Sequence, residues 1–224
     1  MLFLLILIII FCIIIFGDEM NICYIFGSLD VTEIKTIPDN SDYVIAADKG
    51  YLNAERLNLK PDFIVGDFDS LQYTPAGDNV IKHPVMKDDT DLLLAIKTGF
   101  EKGYKTFKIY GCLGGERLDH TIATIQAAAY IKENGGSAVF YDGDTTLSIH
   151  ENEVLKYPTE AKGFISVFSY TEKAVVSIKG LLYELDNVSL SQNYPLGVSN
   201  EFIGENATIT VHSGAVLIIT KEKK

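Results

Sequence analysis

Carboxylates, glycines and one arginine recur in this chain at the ends of short apolar bursts. Gly66-Asp67-Phe68-Asp69-Ser70 follows the burst 62–65. In extended chain, residues two apart point to the same side, so Asp67 and Asp69 face one volume. Two carboxylates about 4 Å apart repel by roughly 4 kcal/mol at an effective dielectric near 20, which favours a divalent cation between them. Hard oxygen ligands with substrate phosphates completing the shell suit magnesium. An Asp-rich turn closed by its own Asx hydrogen bonds is the alternative.

Lys87-Asp88-Asp89-Thr90-Asp91 precedes an apolar run with helical spacing. Asp and Thr are ordinary helix caps, and acids favour the positive helix end. Three aspartates exceed what one cap requires, and Asp88 and Asp91, three apart, share a helix face, so a carboxylate there is a candidate further metal ligand and Lys87 a candidate phosphate contact. Gly111-Cys112-Leu113-Gly114-Gly115-Glu116-Arg117-Leu118-Asp119-His120 joins another burst to a helix. Gly114 and Gly115 let backbone N–H groups approach phosphate oxygens, and Arg117 offers a planar fork of donors. Asp119 and His120 are candidates for orienting ribose, metal or an attacking hydroxyl. A plain turn with a solvated arginine is the competing reading. Asp48, in Ala47-Asp48-Lys49-Gly50, ends a further burst in the same way. Neither GxGxxG nor a Walker loop occurs, and no Ser/His/Asp or Cys/His nucleophile arrangement is visible.

Such residues need a scaffold that gathers strand ends. Between residues 20 and 143, strand-like bursts at 22–26, 43–47, 63–65, 80–81, 107–110 and 138–141 alternate with helical patterns at 52–57, 92–100 and 118–133. That alternation predicts an α/β domain with a doubly wound, largely parallel sheet, which binds ligands at the carboxyl ends of its strands. From residue 144 to 224 the chain carries short β-rich pieces (145–150, 164–169, 174–178, 207–211 and 216–220) and no long helix. An antiparallel β-sandwich or barrel is expected there.

The 224 residues carry a net charge of −11. A surface so acidic repels nucleic acid and anionic lipid, and calls for any polyphosphate to arrive with a cation. Cys12, Cys23 and Cys112 form no CxxC pair, and a reducing, cytoplasmic compartment suits them. Residues 2–16 are uniformly apolar. As a helix they reach roughly 22 Å, short of a hydrocarbon core of about 30 Å. They also lack a basic n-region and a small-residue cleavage site. Residues 1–19 are therefore expected to be an extension with the true start at Met20. A membrane anchor or a signal segment are the alternatives, and a membrane partner is expected only if residues 2–16 are a real anchor.

Together the four strand-end motifs resemble the thiamine pyrophosphokinase family in order and spacing. Gly180-Leu181-Leu182-Tyr183-Glu184-Leu185 and Leu196-Gly197-Val198-Ser199-Asn200-Glu201 extend the likeness into the second half. The resemblance implies an α/β catalytic domain for ATP, a β-sandwich for thiamine, a homodimer with sites between subunits, and magnesium. It implies the reaction ATP plus thiamine giving AMP plus thiamine diphosphate. It makes Asp67, Asp69 and Asp91 magnesium ligands, Asp48, Arg117 and Asp119 nucleotide or catalytic residues, and Ser199 and Asn200 thiamine contacts. Tyr183 stands where the family often has Trp, beside the thiamine ring. From the acid cluster alone, a magnesium-dependent nucleotide hydrolase or a kinase of another small alcohol fits as well. A membrane-held, non-catalytic binder is the reading from another class.

Overall fold

The computed structural model describes residues 21–66, 68, 80–82 and 89–223. The expectations for residues 1–19, Asp67, Asp69 and Lys87 fall outside them. Six strands, β1 (Ile22–Phe26), β2 (Tyr43–Ala47), β3 (Phe63–Gly66), β4 (Val80–Lys82), β5 (Thr106–Tyr110) and β6 (Ser137–Asp142), run parallel. Three helices, α1 (Gly50–Arg56), α2 (Asp91–Glu101) and α3 (Leu118–Glu133), alternate with them as the periodicity predicts.

Side-chain alternation along each strand sorts the core onto two faces. Cys23, Ile25, Ile45, Phe107 and Ile109 form one buried cluster with Ala95 and Ile96 of α2 and Ala127, Ala128 and Ile131 of α3. Tyr24, Phe26 and Tyr110 point to the opposite face. There Tyr110 stacks between Phe26 and Tyr141, with ring centroids 5.6 and 4.7 Å apart. No helix links β1 to β2. Val31, Thr32, Ile34, Thr36 and Ile37 are β-branched and stiff at χ1, and Pro38 closes the segment, so it crosses as irregular chain. Val31 and Ile34 nevertheless pack onto Tyr24 and Phe26 in place of a helix.

The β-rich second half does two things. β7 (Thr145–Glu151), β14 (Ala215–Lys221), β9 (Phe164–Ser169) and the two-residue β12 (Asn200–Glu201) continue the first sheet antiparallel, giving the order β12-β9-β14-β7-β6-β5-β1-β2-β3-β4. A second sheet, β11 (Leu185–Ser191), β10 (Lys173–Lys179), β13 (Ala207–Ser213) and β8 (Val154–Tyr157), is antiparallel throughout. Ile165, Val167, Val216 and Ile218 of the long sheet bury against Val176, Ile178, Ile209 and Val211 of the short one. The sandwich is thus built on the far end of the same sheet whose near end is doubly wound.

One ionic knot ties α3 to the second half. Lys132 donates to Glu153 Oε1 at 2.7 Å, and His150 Nδ1 lies 3.2 Å from the same oxygen. His150 Nε2 shares a hydrogen bond of 2.8 Å with Ser148 Oγ. Burial depresses the His150 pKa, with the Lys132 charge acting in the same direction and Glu153 opposing. The folded protein therefore resists a proton that the unfolded chain accepts, so stability falls as pH drops below the unfolded value near 6.5. Glu153 is pushed up by burial, but the hydrogen bond from Lys132, the charges of His150 and Lys132 and the Glu151 N–H together hold it below its usual range, so its own contribution is lost only at lower pH. Thermal melts of the wild type are expected to decline between about pH 7 and pH 5.5, and His150→Gln to flatten that decline. An unchanged slope in the variant would remove His150 from the account.

Candidate active site

All six parallel strands end on one edge, and every strand-end motif that is described lies there. β1 sits between β2 and β5, so the sheet grows one way through β2, β3 and β4 and then reverses to β5 and β6. The chain leaving β1 packs on one face of the sheet and α3, which follows β5, on the other, so β1 and β5 meet at the switch point where open α/β sheets usually hold a ligand in a crevice.

Gly27-Ser28-Leu29 leaves β1. Gly27 N–H donates to the Tyr110 carbonyl at 2.8 Å and Leu29 N–H to the Gly111 carbonyl at 2.9 Å, which zips this loop to the one after β5. A Cβ on Gly111 (φ +70°) would lie 2.7 Å from Leu29 O and 2.8 Å from Gly27 O, so only glycine permits the approach. Asp48 directly follows β2 with φ +51°, a left-handed conformation that Asp tolerates better than most residues. Its N–H donates to Val65 O at 2.8 Å, and its Oδ2 lies 3.4 Å from Ser28 Oγ. Phe68, the residue between two expected metal ligands, is buried with Ala46 and Ile64.

After β5 the glycine loop is held from below by α3. Thr121 Oγ1 donates to Gly114 O at 3.2 Å and Thr124 Oγ1 to Cys112 O at 2.7 Å. Burial pushes the Cys112 thiol up to about 12, which disfavours its thiolate. A Cβ on Gly114 (φ +82°) would sit 3.2 Å from Asp142 Oδ2 at the end of β6. Arg117 and Asp119 are both exposed and pair twice, Nε to Oδ1 at 3.2 Å and Nη2 to Oδ2 at 2.5 Å. That hydrogen bonding holds the Asp119 carboxyl below its usual range. No side chain caps α3, whose first turn carries Asp119 and the exposed His120. α2, by contrast, is capped by Thr90 Oγ1, which accepts from Leu93 N–H at 3.2 Å; Asp91 is its first residue. Asp89 is drawn off to Lys97 at 2.7 Å. The edge thus gathers Asp48, Asp91, Gly114, Gly115, Arg117, Asp119 and His120. Among the described residues, no group of three or more His, Cys, Asp or Glu is placed to hold a metal ion.

The other expected contacts lie elsewhere. Asn200 belongs to β12, at the opposite end of the long sheet. Its side chain is buried, accepting from Tyr183 N–H and Glu201 N–H at 2.9 Å each and donating to Tyr183 O at 2.7 Å. It therefore braces the turn that presents Tyr183, which is 64% exposed. Ser199 has φ +57° and donates its N–H to Ser166 Oγ at 3.0 Å. Five strand spacings separate β12 from β5, or about 24 Å at roughly 4.8 Å each.

Residues 34–140 match the family model described as "Thiamin pyrophosphokinase, catalytic domain", and residues 151–216 match "Thiamin pyrophosphokinase, vitamin B1 binding domain". The chain belongs to the thiamin pyrophosphokinase family. A thiamine pyrophosphokinase of Bacillus subtilis is 27% identical over 209 residues, covering 82% of this chain and 92% of that protein. Thiamin pyrophosphokinase 1 of Caenorhabditis elegans is 25% identical over 179 residues, covering 72% and 71%. In fold, a crystal structure of the B. subtilis thiamine pyrophosphokinase superposes with a TM-score of 0.78 at 22% identity, over 91% of this chain and all of that one. Sequence motifs did not single out Gly27, Ser28 or Asp142; a search of the first two residues after every predicted parallel strand would have found them. Among the described residues, no helix is long and apolar enough to cross a membrane.

Proposed function

We propose that this protein is a thiamine diphosphokinase, transferring the terminal diphosphate of ATP to the primary hydroxyl of thiamine and releasing AMP. The observation that carries the reading is one sheet whose switch point between β1 and β5 lies within the catalytic-domain match, with a separate exposed loop pair at Tyr183 and Ser199 inside the vitamin B1 match. The thiamine oxygen attacks the β-phosphorus, the bond from that phosphorus to the AMP oxygen breaks, and the hydroxyl proton leaves. The protein needs no covalent intermediate, because positioning and charge neutralisation supply most of the rate. Arg117 exchanges an exposed pair with Asp119, which contributes little, for the phosphate oxygens of ATP. Glycine-loop N–H groups and the uncapped start of α3 line the polyphosphate, and Asp48, Asp119 and His120 orient the nucleotide and the attacking hydroxyl.

Magnesium fits the all-oxygen donor set of Asp67, Asp69 and Asp91, with Lys87 as a further phosphate contact, and it would neutralise charge shared among the phosphates. Residues 20–143 are assigned to ATP and residues 144–224 to thiamine. With about 24 Å between β12 and β5, one subunit holds these two groups of residues well apart. A homodimer that sets the Ser199 loop of one subunit against the β5 edge of its partner resolves this. Exposed apolar side chains flank both regions: Leu118 and Ile122 on α3, and Leu182, Tyr183, Leu196 and Val198 around the loops. Among the described residues, Cys23 and Cys112 form no disulfide, which agrees with a cytoplasmic setting.

A coupled assay for AMP tests the function: release that requires thiamine supports it, while equal release without thiamine marks a nucleotide hydrolase. Ser199→Ala is expected to raise the thiamine KM a few-fold to about tenfold, at roughly 0.5–1.5 kcal/mol per lost neutral hydrogen bond, and to leave the ATP KM unchanged. Equal changes in both constants with a lowered Tm would reduce Ser199 to a turn residue.

A further inference from the structure

Asn53 is a polar residue only 2% exposed in the seven-residue helix α1. Buried amides are costly unless every group finds a partner. Asn53 finds them all in the irregular chain after β1. Its Nδ2 donates to Gly27 O at 2.7 Å and to Leu29 O at 2.8 Å, and its Oδ1 accepts from Val31 N–H at 3.1 Å. Arg56, one turn on, braces the outside, with Nη1 3.4 Å from both Val31 O and Asn53 Oδ1 and Nη2 3.1 Å from Asp30. The start of α1 lies close against the end of β1, where a Cβ on Gly50 would meet Phe26 O at 1.8 Å, so only glycine permits the approach. On its other side the same chain is bonded to the β5 loop through Gly27 and Leu29. One side-chain amide thus replaces the secondary-structure partners that residues 27–31 lack, at the point where the sheet changes direction.

We propose that Asn53 is a positioning residue for nucleotide binding: it fixes the main chain of residues 27–31 so that the crevice between β1 and β5 meets ATP preformed. This rests on the reading that the crevice holds ATP. Asn53→Ala leaves two carbonyls and one N–H without their partner and frees the loop while leaving the thiamine end untouched. Displacements near 1 Å can cost as much as a hundredfold, so the ATP KM, and the ATP Kd by calorimetry, are expected to rise at least about tenfold. The thiamine KM is expected to stay within about twofold. Val176→Ala, in the core between the two sheets, serves as the control of similar thermal destabilisation and is expected to move neither constant by more than about twofold. Should Asn53→Ala fail to fold, Arg56→Met loosens only the outer brace, with an expected rise of about two- to threefold in the ATP constants alone. An ATP Kd unchanged in the folded variant, or ATP and thiamine constants rising together, overturns the proposal. Wild-type protein that binds ATP without thiamine-dependent AMP release would refute the proposed reaction, while the Kd comparison still decides the role of Asn53. Wild-type protein that does not bind ATP removes both.

Discussion

Asp67→Asn, Asp69→Asn and Asp91→Asn are each expected to reduce thiamine-dependent AMP release by more than about a hundredfold while the Tm changes little. Each substitution keeps the side-chain shape and removes one negative oxygen from the proposed magnesium ligands. Loss of a metal ligand withdraws several kcal/mol of charge stabilisation from the transition state, and about 1.4 kcal/mol already corresponds to tenfold. For Asp91 a bland role is also available, since an acid in the first turn of α2 stabilises the helix electrostatically. That role is worth about 0.3–1 kcal/mol and would appear in the melt, not in turnover. Raising the magnesium concentration should partly restore the Asn variants if ligation is what they lost. A variant with near-wild-type turnover would take its residue out of the metal site.

The second large effect concerns the distance between the two halves of the site. Asp69→Asn disables the nucleotide half, and Ser199→Pro disables the thiamine half by forcing negative φ where the chain has +57° and by deleting the N–H given to Ser166. Each homodimer alone is expected to be nearly inactive. After subunit exchange at equal concentrations, about half the dimers are mixed, and each mixed dimer holds one site built from two intact halves. Activity should therefore return to about a quarter of wild type. Mixtures that exchange subunits yet stay inactive would place both halves of the site within one chain.

Much of the nucleotide half was legible because its chemistry sits where secondary structure changes. The bursts 22–26, 43–47 and 107–110 became β1, β2 and part of β5, and Asp48 and the Gly111–His120 motif fell on one edge as the βα pattern required. The second half was legible only as strands. Period-two alternation names the buried face of a strand but not the sheet it joins, so nothing announced that β7, β9 and β14 would extend the first sheet. β11 went unread because Asp186, Asn187 and Ser189 break the apolar pattern; Asn187 takes φ +53° beside a register shift in β10. Asn53 was hidden for a different reason. A polar residue in a short helix reads as a solvated face until one asks where the backbone groups of an irregular segment find partners. Asn200 carried the opposite ambiguity: its motif suggested a ligand contact, and its buried amide braces the Tyr183 turn.

The reaction itself is decided by following one phosphorus atom. With ATP carrying radiophosphorus at the β-position, incubation with thiamine and magnesium should move the label quantitatively into thiamine diphosphate and leave AMP unlabelled. Label retained in ADP beside a thiamine monophosphate, or label freed at the same rate without thiamine, would contradict diphosphate transfer.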